Sequence, residues 1–341
     1  EIEFLKKIKE KTKAKIGIIG PFASIKPELF QKYSDFIIIG EPEQAINNIK
    51  NKKIPKGLVK SELIKDLDTL PYPDWNIFPI EKFSYNPIIS KKPFTFILSN
   101  KGCPYTCSYC PYKVFGLYRS RDPIKVVDEI EYLKNRYKIK GLMFRDPMFS
   151  LNPEKTRILA EEIIKRKIKI EWGCETRLDK LDKNLLDILY NSGLRAIKVG
   201  IESVNNEELE KLKRKFIQKE HQEEIIKYCD KKGIKVIAFY IIGLPNETEE
   251  DIKATVKYAY KLNTDFANFT ICTPIPGTSF FEENKNNLIT KNWEEFDNFH
   301  LVFKHKYLIK EKLLNLQEKA ITNYYFRPKY ILKYLYRSIT R

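Results

Sequence analysis

The sequence contains no run of about 18 consecutive apolar residues, so no helix long enough to cross a bilayer is expected. It has only three histidines, His221, His300 and His305, and no cysteine in residues 1–95. A zinc site of mixed cysteine and histidine ligands therefore has little to draw on. The opening residues, Glu1 to Lys9, are charged and lack the apolar stretch of a signal peptide. Residue 1 is Glu rather than Met, so the chain reads as a piece of something longer. Six cysteines are present, but three of them fall between residues 103 and 110. That bunching excludes an ordinary disulfide framework and fits a reducing, cytoplasmic setting.

What is present is a globular balance over 341 residues, with 43% hydrophobic and 31% charged side chains. That length is enough for a full core and more than one domain. The formal net charge is +17. A nucleic-acid partner is one reading of that charge, but such a footprint should cluster. Here Lys, Ile and Asn are spread along the whole chain without a compact basic block, which favours plain compositional bias.

Four regions follow from the pattern. Residues 1–50 hold two short β-branched runs, Ile16–Ile19 and Phe36–Ile39, each closed by a glycine, with a helix-like stretch at Pro27–Lys32 between them. This β–α–β–α piece is too small to bury a core alone and looks like the last part of a doubly wound domain. Residues 51–93 form a Lys- and Pro-rich connector, whose proline density predicts extended packing over another surface. Residues 94–283 repeat a strand-then-helix pattern. Strands are expected at Phe96–Ser99, Leu142–Phe144, Ile168–Trp172, Ala196–Ile201, Val236–Ile242 and Phe266–Cys272. Asp122-Pro123 and Asn152-Pro153 mark helix starts. Six such units predict an α/β fold, a partial (β/α)6 TIM-like barrel open on one side. Residues 284–341 read as a helical, aromatic tail. Its aromatics are expected to pack on the barrel's open side, and contact with a membrane surface is the alternative.

The segment after the first expected strand is Asn100-Lys101-Gly102-Cys103-Pro104-Tyr105-Thr106-Cys107-Ser108-Tyr109-Cys110. Three thiolates on one short loop can each take one iron of a cubane cluster. The fourth iron then has no protein ligand, as an open catalytic metal position requires. Structural zinc is the alternative reading, but nothing nearby completes a four-ligand set. Cys174 and Cys272 fall at expected strand ends and could face the same cavity, although buried inert cysteine is the commoner case. Cys229 reads as core.

This motif and the six βα units resemble the radical S-adenosylmethionine (SAM) superfamily. Further segments resemble its cobalamin-binding branch, which includes anaerobic porphyrin-ring cyclases and carbon methyltransferases. These are Gly40-Glu41-Pro42-Glu43, Leu70-Pro71-Tyr72-Pro73, Trp172-Gly173-Cys174-Glu175-Thr176-Arg177 and Gly243-Leu244-Pro245. The resemblance covers most of residues 30–280. It implies that Cys103, Cys107 and Cys110 hold a 4Fe–4S cluster and that SAM chelates the open iron. Reductive cleavage of SAM then yields a 5′-deoxyadenosyl radical. It also implies a small-molecule substrate and an electron donor such as a reductase, flavodoxin or ferredoxin. Residues 1–50 resemble the end of a Rossmann-like cobalamin-binding domain. The branch's Asp-x-His-x-x-Gly motif is missing, so cobalamin is expected of a full-length parent and doubted for this chain.

Position by position, the resemblance puts Tyr109 near the SAM adenine and Asp146 where the SAM amino group binds. Arg145-Asp146-Pro147 replaces the family's common Gly-Gly-Glu there, which predicts a backbone contact only. Arg177 is placed to meet the SAM carboxylate, Glu202 the ribose hydroxyls, and the Gly243-Leu244 backbone the adenine. Each has a structural alternative: loop packing for Tyr109, helix capping for Asp146 and Glu202, an ion pair for Arg177, and an ordinary strand-to-helix turn for Gly243-Leu244. Two other functions compete with a methylating or cyclising enzyme. One is a tRNA-modifying radical SAM enzyme, supported only by the charge. The other is a zinc-stabilised nucleic-acid-binding module.

Overall fold

The structure, a computed structural model, describes residues 2–50, 54–112 and 116–340. The N-terminal part comprises α1 (Ile2–Lys11), β1 (Gly17–Ile18), α2 (Pro21–Ile25), β2 (Phe36–Ile39), α3 (Glu43–Lys50) and β3 (Gly57–Lys60). Its strands form a parallel sheet in the order β1-β2-β3. Ala23, Phe30 and Ile37 form its small core. Two features differ from the sequence expectation. The helix-like stretch at residues 27–32 is two 3-10 turns, Pro27–Leu29 and Gln31–Tyr33. The sheet also takes its third strand from the segment read as connector, because the free edge of β2 pairs with Gly57–Lys60. That strand has only Leu58 and Val59 as apolar residues, too short a run to be read by period.

From Ser61 the chain winds through short 3-10 turns; Asp66 and Asp74, each just ahead of one, accept from the backbone amides of Asp68 and Asn76. Trp75, Phe78 and Phe83 pack as an aromatic group. Tyr85 and Ile89 then reach the inner face of the main sheet, where Tyr85 stacks on Phe94.

The core begins with β4 (Phe94–Ile97) and the short antiparallel pair β5 (Asn100–Lys101) and β6 (Arg119–Ser120). It continues as α4 (Pro123–Tyr137), β7 (Gly141–Phe144), α5 (Pro153–Lys165), β8 (Glu171–Thr176), α6 (Lys183–Asn191) and β9 (Leu194–Glu202). Then come α7 (Asn206–Lys211), α8 (Lys219–Lys232), β10 (Lys235–Ile242), α9 (Glu249–Leu262) and β11 (Phe266–Ile271). The six long strands are all parallel, in the order β11-β10-β9-β8-β7-β4. Strand order follows sequence order, as successive βα crossovers of one hand dictate. Asp122 and Asn152 cap α4 and α5 as expected, each ahead of a proline. Thr248 and Asp251 form a capping box on α9.

Alternation sorts the side chains of each strand to two faces. Leu142, Phe144, Trp172, Cys174, Ile197, Val199, Tyr240 and Phe269 join the helices in one large core. Phe94, Met143, Ala196 and Ile237 line the opposite, inner face. β8 lies further along than the expected Ile168–Trp172. The apolar Ile168 and Ile170 precede it, and its own inward residues, Glu171, Gly173 and Glu175, are not apolar. Hydrophobicity alone therefore pointed too early.

After β11 comes α10 (Ser279–Asn284), and the tail holds α11 (Lys310–Tyr325) and α12 (Pro328–Thr340). The aromatics of α11 pack at the β11 edge of the sheet: Tyr324 is fully buried, and the Tyr325 hydroxyl bonds both backbone groups of Ala267. Tyr330 of α12 follows them, donating to the Asp265 carbonyl at 2.7 Å. The other side of α12, with Leu332, Leu335, Tyr336 and Ile339, faces solvent. Among the described residues no helix is long and apolar enough to cross a membrane.

Candidate active site

The strand ends of the core carry the site. After β4 the chain forms β5, runs through the cysteine loop and returns as β6, so the β5–β6 pair flanks that loop. Gly102 has φ +74°, and a Cβ there would stand 2.5 Å from the Leu117 carbonyl oxygen. Only glycine allows this crossing, one residue before Cys103. Further along, the loop is pinned on two sides. The Ser108 amide donates to the Leu212 carbonyl at 2.9 Å, and the Phe280 amide donates to the Ser108 carbonyl at 3.0 Å. Cys103, Cys107 and Cys110 are all partly exposed free thiols on this loop. Burial raises the Cys107 thiol and pushes Cys110 up to about 11, so both call for a positive partner to ionise. Among the described residues no three His, Cys, Asp or Glu side chains converge as ligands of one metal ion. A cubane asks for no such convergence, because each thiolate takes its own iron.

Tyr109, Glu202 and Arg177 gather around the loop. Tyr109 packs against the core that contains Leu244, within electrostatic range of Glu202, Arg214 and Cys107. Glu202 ends β9 in the left-handed region, φ 67°, a strained conformation for a side chain of this size. Its carboxylate pairs with buried Arg214 at 3.1 Å, and Arg214 also donates to the Gly200 carbonyl at 2.9 Å. A side chain at position 200 would collide with that carboxylate, which explains Gly200. The expected ion pair of Arg177 is present, with Asp179 at 2.8 Å. Arg177 also donates to the Lys215 carbonyl and lies over the Tyr105 ring at 4.9 Å. Its Nη1 is buried with no partner among the described residues, a donor available to a ligand beside the cysteines.

Asp146 and Leu244 are both tied into the fold. Asp146 follows β7 with its side chain fully buried, turned back toward β4. It accepts from the amides of Ser99 and Asn100, at 2.7 and 3.1 Å, and from the Ser99 hydroxyl. It holds the backbone that leads into the cysteine loop rather than facing the inner side. Gly243 has φ +72° and turns the chain out of β10. Leu244, however, is buried in the core. Its amide donates to Glu247 at 3.0 Å and its carbonyl is bonded by His305 at 2.7 Å, so both its backbone polar groups are engaged. Cys174 and Cys272 are buried among helix-side residues, and burial lifts both thiols well above the ordinary range. The remaining histidines are also committed, His221 to the Leu178 carbonyl and His300 to Asp297.

Sequence reasoning missed Arg214, which no local pattern marks, and the anchoring role of Gly40-Glu41-Pro42-Glu43. Glu41 pairs with Arg119 of β6, and both Glu41 and Glu43 pair with Lys101 of β5. The N-terminal sheet is thereby tied to the strand pair that flanks the cysteine loop. Between them lies a cavity of about 320 Å³. Ser24, Gly40 and Glu41 line one side of it, and Lys101, Tyr112 and Arg145 the other.

A three-cysteine loop at the strand ends of a six-stranded parallel sheet defines the class. Residues 97–259 match the family model of the radical SAM superfamily, and this part of the chain is a radical SAM domain. The similarity is to enzymes of that superfamily. It is 29% identical over 339 residues to an uncharacterized methyltransferase of Pyrococcus horikoshii, PH0819, covering 92% of this chain and 73% of the other. It is 32% identical over 276 residues to the anaerobic magnesium-protoporphyrin IX monomethyl ester cyclase of Rubrivivax gelatinosus, covering 80% and 48%. The chain thus spans about half the length of that cyclase. Among solved structures it superposes on the radical SAM methyltransferase TsrM from Kitasatospora setae with a TM-score of 0.65 at 20% identity, covering 78% and 57%. That likeness shows the fold.

Proposed function

We propose that this chain binds a 4Fe–4S cluster at Cys103, Cys107 and Cys110 and SAM beside it, and cleaves SAM reductively. The resulting 5′-deoxyadenosyl radical would serve the methylation or cyclisation of a small metabolite. The observation that carries this is the gathering of the thiol loop, Tyr109, Glu202 and the free Nη1 of Arg177 at one set of strand ends. The donor set fits the group: three thiols for three irons, a buried guanidinium N–H for a carboxylate, and a carboxylate for hydroxyls. Bound there, the cluster and SAM supply the electron transfer and the radical. The chain's own residues orient them. Asp146 fixes the strand end before the loop, Arg177 offers a donor, and Glu202 is held by Arg214.

Cobalamin is proposed for a full-length parent rather than for these residues alone, since no histidine precedes His221 and the branch's Asp-x-His-x-x-Gly motif is missing. No step is assigned to it. The bunching of three of the six cysteines on one loop suits a reducing, cytoplasmic setting, with a flavodoxin- or ferredoxin-type protein as electron donor.

Anaerobic reconstitution tests the proposal. A brown protein with about four irons per chain, forming 5′-deoxyadenosine from SAM on reduction, is the expected result. Cys107→Ala should remove both colour and cleavage. A colourless protein holding zinc would overturn the reading.

A further inference from the structure

The inner face of the sheet carries one row of charge. In the strand register Arg145, just past β7, stands beside Glu175 of β8, and Glu175 stands beside Lys198 of β9. All three point inward, since their neighbours Phe144, Cys174, Ile197 and Val199 belong to the helix-side core. Arg145 Nη1 donates to Glu175 Oε1 at 2.5 Å, and Lys198 Nζ approaches the same oxygen at 3.4 Å. Lys198 also sits 5.0 Å from the centre of the Tyr85 ring. Two cations therefore share a single carboxylate oxygen in a half-buried place.

Other inward charges are committed to structure. Glu171 accepts from Ser90, and Lys235 bonds the Pro87 and Ile88 carbonyls, so both tie down the segment that closes the floor. The row of three has no such duty. Beneath it lie Phe94, Phe96, Met143 and Ile237, an aromatic and apolar floor. Beside it, Gly102 and Tyr112 at the two ends of the cysteine loop line one cavity with Arg145. Tyr112, two residues after Cys110, is within electrostatic range of both Glu175 and Arg145. Arg145 also lines the 320 Å³ cavity and a neighbouring one of about 550 Å³, and its side chain is 44% exposed. Of its five N–H donors, one has a side-chain partner among the described residues.

We propose that Arg145 and Lys198, yoked through Glu175, recognise an anionic group on the substrate, a carboxylate or a phosphate carried by an apolar body. The inference rests on the reading of this inner face as the substrate chamber. Half-buried charge with too few counter-charges is stabilised by an anion, and an arginine N–H pair matches carboxylate and phosphate geometry. The apolar floor takes the body of the molecule, and the row fixes which end faces the radical source.

The test is binding of three probes to the reconstituted chain: 3-phenylpropionate, phenyl phosphate and the neutral 3-phenylpropionamide. At least one anionic probe should bind about tenfold or more tightly than the amide, and the tighter of the two names the group. Arg145→Gln and Lys198→Met should each erase the preference. Glu175→Gln should enhance it, because the competing carboxylate is gone, a gain that a merely structural role would not produce. Equal binding of anions and amide, or no gain in Glu175→Gln, would overturn the proposal. Formation of 5′-deoxyadenosine by the unsubstituted chain, measured alongside, tests the underlying reading separately.

Discussion

Asp146 holds the amide of Asn100 at 3.1 Å, linking the end of β7 to the strand end that leads, three residues on, into Cys103. The same carboxylate takes the Ser99 amide at 2.7 Å. One buried side chain thus ties the second βα unit to the start of the cysteine loop. Replacing it with Ala leaves two buried N–H groups without a partner. A loss of about 1–3 kcal/mol is expected for each donor so stranded. Urea unfolding of Asp146→Ala should show it, and iron content after reconstitution should fall with it.

Asp146 and Glu247 should together give the stability an unusual pH dependence. Burial pushes both carboxyls up to about 7, against the hydrogen bonds from Ser99 and Asn100 in one case and from Ser203 and Leu244 in the other. Unfolded, such groups titrate near ~4. The folded state therefore binds more protons between about pH 4 and 7. Their contribution is fully present below that window and is lost as pH rises through 7. The urea midpoint should rise from pH 7.5 to 5.5, and Glu247→Gln should flatten the rise. An equal slope in that variant would contradict the assignment.

Gly102→Ala should prevent the loop from closing. The new methyl meets the Leu117 carbonyl, and φ is +74°. Alanine at an incompatible positive φ costs more than about 1 kcal/mol before any clash is counted. The expected outcome is a folded protein by circular dichroism with little iron after reconstitution.

Glu41 and Arg119 are a largely buried pair between the N-terminal sheet and the β5–β6 pair. Removing one partner of such a pair typically costs about 3–5 kcal/mol, because the other charge stays buried. Arg119→Met should destabilise in that range, and Glu41→Gln with Arg119→Met should recover part of the loss. Limited proteolysis should cut Arg119→Met sooner within residues 54–93, where the connector runs.

Much of the architecture was legible in local pattern. Asp122-Pro123 and Asn152-Pro153 start helices because a side-chain oxygen and a preset φ need only their near neighbours. The cysteine spacing was legible for the same reason, since all three thiols lie on one loop. β8 was placed too early because its inward residues are charged or glycine, which a search for apolar runs passes over. Arg214 was invisible, as its partner Glu202 lies twelve residues away across a turn with no motif.

By itself the sequence determined the order of βα units, their caps, and a loop that presents three thiols. Only the tertiary structure decided which way side chains point at the strand ends. It turned Asp146 back toward Ser99 and Asn100, engaged both backbone groups of Leu244, and aligned Arg145, Glu175 and Lys198 in one inward row. The physical reason is range. Caps and turns are settled by contacts a few residues apart, whereas facing and register depend on strands some thirty residues apart in sequence.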